Sequence, residues 1–207
     1  MPLAPSWTIG RGTKTVAILK DNKKDGFNID IVQGASKDQF KESDKNTTVR
    51  GNNMYCPHCQ METPITALRG DRRGADGQTI YGLRLWEKDE FIPREDDVFQ
   101  ERLYCIRYVE EYIDEKGNKK TRRYYTSPTE EDLKREEKAI KLISKRFTDW
   151  QDKGYIPSDI IEDGDETTRL KRERGWQYWH QLFNPRQLLV NGLFSKVSSQ
   201  MANGQME

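Results

Sequence analysis

The segment that most constrains this chain is residues 176–194, the densest aromatic and apolar run in a very polar sequence. It opens with Trp176, Tyr178, Trp179 and Phe183 and then reaches Asn184-Pro185-Arg186-Gln187. Asn is a good helix N-cap and Pro is pre-organised for the first helical position. Gln three residues past the cap can reach back to close a capping box. Leu188, Leu189 and Leu193 follow at helical spacing and give one apolar stripe. On residue chemistry alone this is a core-forming aromatic segment leading into an amphipathic helix.

Such a segment has to supply much of the core, because only 34% of the 207 residues are hydrophobic and 33% are charged. The length suits one or two domains with a modest core. A net charge of +1 gives no global basic field, so contact with nucleic acid has to come from local patches. No run approaches the roughly 18 apolar residues of a membrane span and no secretory pattern opens the sequence; no membrane partner and a cytoplasmic setting are expected. Three cysteines, two of them in one Cys-x-x-Cys, argue against a disulfide framework and for a reducing compartment.

The chain divides into a β-rich region, residues 1–126, and a helical region, 127–200, with 201–207 expected as a disordered tail. Residues 15–19 and 27–31 read as paired strands around turn material at 21–26, and 35–53 as a polar connector. Residues 54–64 form a knuckle around Cys56 and Cys59. Tyr81, Leu83 and Leu85 share a strand face, and the acidic residues 91–101 read as a loop over the sheet. Residues 103–113 and 119–126 read as a hairpin, with Gly117 taking the positive-φ position of the loop 114–118. Ser127-Pro128-Thr129-Glu130 repeats the capping logic of Asn184. The helix beyond it puts Leu133, Ile140, Ile143, Phe147 and Trp150 on one side, with Gly154 ending it. Residues 155–174 read as a connector ending in a basic run, and the last helix is expected to fade near Ser199. The expected fold class is therefore α+β: an antiparallel sheet with a zinc-ribbon-like Cys-x-x-Cys knuckle, followed by two capped amphipathic helices.

Two features invite chemistry. Cys56 and Cys59 are half of a zinc ribbon, since two thiolates three positions apart on a tight turn can bind one tetrahedral zinc. A closed site takes four ligands, there is no second Cys-x-x-Cys, and the further candidates are Cys105, His58 and His180. Two reduced cysteines in a β-turn are the simpler reading. The basic clusters are Arg69, Arg72 and Arg73; Lys119, Lys120, Arg122 and Arg123; and Arg169, Lys171, Arg172 and Arg174. Tyr124 and Tyr125 follow the second and Trp176 the third. Cations beside aromatics can hold phosphates and stack on bases, although in so charged a chain they also suit a solvated face. No catalytic triad, dinucleotide fingerprint or Asp/Asn-Pro-Pro-Tyr/Phe tetrapeptide is present.

LFNPRQLL, residues 182–189, closely resembles the Leu-Phe-Thr-Pro-Arg-Gln-Leu-Leu signature of adenine-specific DNA methylases that carry a zinc ribbon. Gly175 and Trp179 fit the spacing before it. The likeness extends to YTSPTEEDL at residues 125–133 and to Cys56-Pro57-His58-Cys59, in the same order, and so covers residues 50–195. Asn184 stands where the family has Thr, which keeps the capping chemistry. The resemblance implies a parent enzyme that moves a methyl group from S-adenosylmethionine to the exocyclic amine of adenine. It implies too that the catalytic tetrapeptide and the cofactor-binding glycine segment lie elsewhere on a longer polypeptide, leaving this chain inactive alone. Another cysteine pair would lie upstream of the stretch matching residues 7–19, and Phe183, Asn184 and Pro185 would start the helix that covers S-adenosylmethionine. The implied partners are DNA, the remainder of the parent methylase and, through an uncovered apolar stripe, a second copy in a homodimer. The alternative is a protein–protein interaction module without nucleic-acid binding, which the acidic segments and near-neutral charge would suit.

Overall fold

The computed structural model describes residues 1–22, 26–202 and 204. In chain order the first elements are strands β1 (Thr8–Gly10), β2 (Thr15–Asp21) and β3 (Phe27–Gln33), helix α1 (Lys37–Lys45), and strands β4 (Val49–Arg50), β5 (Asn53–Tyr55) and β6 (Glu62–Pro64). Helix α2 (Ile65–Arg69), strands β7 (Arg72–Arg73) and β8 (Thr79–Ile80), and the long strands β9 (Ile106–Ile113) and β10 (Lys119–Thr126) follow. Helices α3 (Glu130–Ser144), α4 (Phe147–Asp152) and α5 (Thr167–Arg174), a 3-10 turn at Trp179–Leu182, and α6 (Pro185–Ala202) complete the chain. The protein is thus mixed α+β, with small antiparallel sheets.

Two compact units form, Met1–Leu68 with Arg102–Thr129, and Arg69–Glu101 with Glu130–Glu207. Residues 69–101 therefore group with the helices. In the first unit β1, β2 and β3 make an antiparallel sheet, with β2 and β3 in register from Thr15↔Gln33 to Asp21↔Phe27. Both expected strands form, the β-branched apolar run at 15–19 and the alternating run at 27–31, while residues 23–25 of the expected turn lie outside the described residues. Trp7, Ala17 and Ile29 make the core on one face of this sheet, and the Trp7 indole N–H donates to the carbonyl of Asn46 at 2.9 Å.

The expected connector 35–53 instead contains α1. Ser36 Oγ accepts from the Gln39 amide at 3.3 Å, and Gln39 Oε1 accepts from the Ser36 amide at 2.9 Å. This reciprocal cap holds a helix whose sequence, KDQFKESDK, has almost no apolar periodicity to advertise it.

In the second unit the strand expected through Tyr81, Leu83 and Leu85 does not form beyond the two-residue β8. Trp86 N–H donates to the carbonyl of Gly175 instead of to a ladder partner, and Tyr81 and Leu85 are exposed. Residues 91–101 are irregular, as the sequence implies, and belong to the unit that holds the helices. The expected cap at Ser127 is also displaced: α3 starts at Glu130, and the Ser127 hydroxyl donates to Ile29 O at 3.4 Å. The single helix expected up to Gly154 breaks after Ser144 and resumes as α4, with Gly154 at φ 69° beyond it. Ile143, Phe147 and Trp150 are buried with Ile156 and Leu188, but Leu133 faces solvent. Helices α3 and α6 pack together, and Gly192 lets Trp150 lie on α6, since a Cβ there would meet its ring at 2.3 Å. Leu188 and Leu189 pack as the stripe predicts. Leu193, in contrast, is exposed, so α6 is apolar on more than one side instead of amphipathic. The helix runs past Ser199 to Ala202, and residues 203 and 205–207 of the expected tail lie outside the described residues. Among the described residues no helix is long and apolar enough to cross a membrane.

Candidate nucleic-acid interface

Strands β9 and β10 pair from Ile106↔Thr126 to Ile113↔Lys119 as a two-stranded ribbon. Its loop closes where Gly117 takes φ 78° and Asp114 N–H donates to Asn118 O. The ribbon is fastened at its base, where Tyr125 N–H donates to Gln33 Oε1 at 2.9 Å. Beyond that base, residues 109–113 and 119–123 are exposed on both faces.

Period-two alternation divides the sequence cluster Lys119, Lys120, Arg122 and Arg123 between two faces. On one face Lys120 pairs with Asp114 at 2.9 Å, Arg122 pairs with Glu110 at 2.6 Å, and Tyr108 stacks on Tyr124 with centroids 5.1 Å apart. The opposite face holds Lys119 and Arg123. It also holds Arg107, which the register sets opposite Tyr125, diagonal to Arg123. Among the described residues none of these three has a carboxylate within ion-pair distance. Arg107 carries no mark in sequence, where it sits alone in an apolar run; only the register between the strands brings it to the other two.

In the second unit α5 ends in Gly175 at φ 77°, whose missing Cβ lets Arg84 O approach where a side chain would meet it at 2.2 Å. The basic run on α5 is partly neutralised: Lys171 pairs with Asp163 at 2.6 Å and Arg169 with Glu173 at 3.2 Å. Arg172 lies over the Tyr81 ring at 5.0 Å and Arg174 over Trp176 at 5.9 Å. Arg174 and Trp176 border a cavity of about 270 Å³ with Trp86, Phe99 and Arg84. Arg84 is locked there by Glu90 at 2.5 Å and Asp97 at 2.7 Å. Burial opposes ionisation of both carboxyls. Hydrogen bonds from the Glu87 amide and from the Arg84 and Arg94 guanidinium groups still hold Glu90 below its ordinary range, and those from Arg84 and the Arg94 amide do the same for Asp97.

The Cys56 to Cys59 turn joins β5 to β6. Cys56 N–H donates to Met61 O at 3.0 Å, Gln60 N–H donates to Cys56 O at 2.7 Å, and Gln60 takes φ 61°. The Cys59 amide, aided by that of His58, lowers the Cys56 thiol pKa against the effect of burial. Amides aimed at a sulfur prepare it as a thiolate, the form that binds metal. His58 Nδ1 meets Asp21 Oδ2 at 2.5 Å, and burial pushes the Cys105 thiol up. Among the described residues no group of three His, Cys, Asp or Glu side chains is arranged to hold a metal ion. Cys56 and Cys59 are both free thiols on this one turn.

Phe183, Asn184 and Pro185 are occupied structurally. Asn184 Oδ1 accepts from the Gln187 amide at 2.9 Å, Gln187 Oε1 accepts from the Asn184 amide at 3.0 Å, Pro185 is buried, and Phe183 packs on the Ile143–Trp150 core. Comparison with family models, curated proteins and solved structures gives no match.

Proposed function

We propose that this chain is a non-catalytic, DNA-contacting segment of an adenine-specific DNA methylase of the zinc-ribbon kind. Methyl transfer from S-adenosylmethionine belongs to the remainder of such a parent protein. The observation that carries the DNA reading is the ribbon face on which Arg107, Lys119 and Arg123 stand exposed without carboxylate partners among the described residues, while the cations of the other face are neutralised. Three cations against the one carboxylate of Glu111 leave this face net positive, and a polyanion sits favourably against it. Arg172 and Arg174, stacked on Tyr81 and Trp176, supply a second cation-and-aromatic surface in the other unit.

The other donors of the zinc site that Cys56 and Cys59 begin would come from the parent protein. The side chains of Phe183 and Asn184 are committed to core and cap, so they give S-adenosylmethionine a fixed helix start and no free ligand.

The alternative, a protein-interaction module, is favoured by one observation: Val190, Leu193, Phe194, Val197 and Met201 line an exposed side of α6. Anisotropy of a labelled duplex titrated with the whole chain, from about 50 to about 200 mM salt, separates the two. Expected is a linear fall of log affinity with log salt, whose slope shrinks by about three when Arg107, Lys119 and Arg123 are all changed to Ala. Absent or salt-independent binding would leave the interaction module standing.

A further inference from the structure

We infer that the β9–β10 ribbon enters the DNA major groove, with the face of Arg107, Lys119 and Arg123 turned to the base edges. This rests on the DNA reading above and goes further by naming the groove, the element and the face.

Dimensions decide the groove. Paired strands lie about 4.8 Å apart, so a two-stranded ribbon with its side chains fits an undeformed major groove about 12 Å wide, whereas a minor groove about 6 Å wide would first have to be opened by deforming the duplex. The exposed part is long enough: at about 3.4 Å per residue, residues 109–113 reach about 14 Å beyond the anchored base.

Side-chain chemistry decides the face. Arginine is the side chain best matched to the paired acceptors of guanine in that groove, and Arg107 and Arg123 are diagonal neighbours on the one face. Val109 and Ile113 share this face and are 56% and 69% exposed, apolar surface of the kind that meets thymine methyl groups. Glu111 also stands there, opposite Thr121, and a carboxylate in the groove can accept from the cytosine amino group. Guanine, thymine and cytosine edges thus each have a counterpart on the face without ion pairs. The other face, with Lys120–Asp114, Arg122–Glu110 and the Tyr108–Tyr124 stack, is internally satisfied and needs no ligand. An A-form RNA duplex, whose major groove is narrow and deep, would not admit the ribbon.

The test measures the whole chain by anisotropy at one salt concentration on four ligands. These are a mixed-sequence DNA duplex, the same duplex with bulky 5-glucosyloxymethyl groups on its cytosines, the unmodified duplex presaturated with netropsin, and the RNA duplex of the same sequence. Filling the major groove leaves the phosphates in place, so the expected result is a loss of about tenfold or more with the modified cytosines. Netropsin in the minor groove should cost no more than about twofold, and RNA should bind at least about tenfold more weakly than DNA. Arg107→Ala/Arg123→Ala should weaken binding to unmodified DNA and erase the difference between the two DNA duplexes. Lys120→Ala/Arg122→Ala, on the opposite face, should keep that difference. Both pairs are exposed, and circular dichroism confirms that each variant folds. Equal binding to the filled and unfilled duplexes would overturn the groove assignment, as would retention of the difference in Arg107→Ala/Arg123→Ala. If the unmodified chain binds no duplex at all, the DNA reading itself falls.

Discussion

His180 is fully buried, with Nε2 3.0 Å from Glu90 O, Nδ1 3.3 Å from Gln151 Nε2, and the rings of Phe147 and Tyr178 around it. An amide N–H directed at Nδ1 makes that nitrogen an acceptor, so the proton sits on Nε2 and donates to Glu90 O. The sequence names His180 among the candidate zinc ligands, but both of its ring nitrogens are taken up by Glu90 O and the Gln151 amide. Burial lowers its pKa below the ordinary histidine value, outweighing the backbone carbonyls that pull the other way, and Lys88 adds to the lowering. The unfolded chain therefore takes up a proton near pH 6.5 that the folded chain refuses. The contribution of His180 to stability is complete above that pH. It declines as pH falls toward the folded pKa, with a slope of at most about 1.4 kcal/mol per pH unit. Denaturant unfolding from pH 7.5 to 5.5 should show this decline, and His180→Gln should flatten it, because Gln can still donate to Glu90 O. An equal slope in the variant would assign the decline to other groups. Glu90 and Asp97, both held low, lose their contributions only at more acidic pH, through the carboxylate range.

At the level of elements, the start of α6 shows how a short polar motif places a hydrophobic helix. Asn184 and Gln187 satisfy each other's amides, Pro185 is buried, and Leu188 one turn later seals the core. Asn184→Ala should cost about 1 kcal/mol in thermal unfolding, while Asn184→Thr, which restores a capping oxygen, should recover most of it. Equal loss in both variants would move the effect from the cap to another contact of Asn184. Motifs of this kind are legible in the sequence: the Asn184 cap, Gly117 in its loop, and the return strand Lys119–Thr126 that a hairpin turn at Gly117 requires are all local. The same local signal, Ser36 with Gln39, marks the start of α1, where apolar spacing gives no sign of a helix. Residues 81–85 mislead in the opposite way. They alternate like a strand, but the carbonyl that receives the Trp86 amide belongs to Gly175, far away in sequence. Arg107 was invisible for a related reason, since cross-strand register is a property of pairing and leaves no trace within one strand.

For the whole molecule, a net charge of +1 from 35 basic and 34 acidic residues gives no overall field, so two local surfaces carry the information. One is the cationic ribbon face; the other is apolar. Val190, Leu193, Phe194, Val197 and Met201 follow one another at helical spacing down α6, and Phe194, at their centre, is 74% exposed. The stripe spans about 16 Å at 1.5 Å per residue, enough for two such helices to lie side by side. Its residues carry no charge, so nothing in it repels a copy of itself. An isologous pairing of two α6 helices would bury Phe194 twice. Sedimentation velocity over a concentration series should therefore show reversible self-association of the chain when no other partner is present. Phe194→Asp, which would bring two carboxylates together at the centre of such a pairing, should hold it monomeric. Because Phe194 faces solvent, the variant should unfold at nearly the same temperature as the unaltered chain. It should also bind duplex DNA with unchanged salt dependence, since the stripe and the ribbon belong to different units. If the unaltered chain stays monomeric at every concentration, the stripe is no contact between copies. A parallel loss of association and of DNA affinity in Phe194→Asp would show instead that two copies must join before either holds DNA.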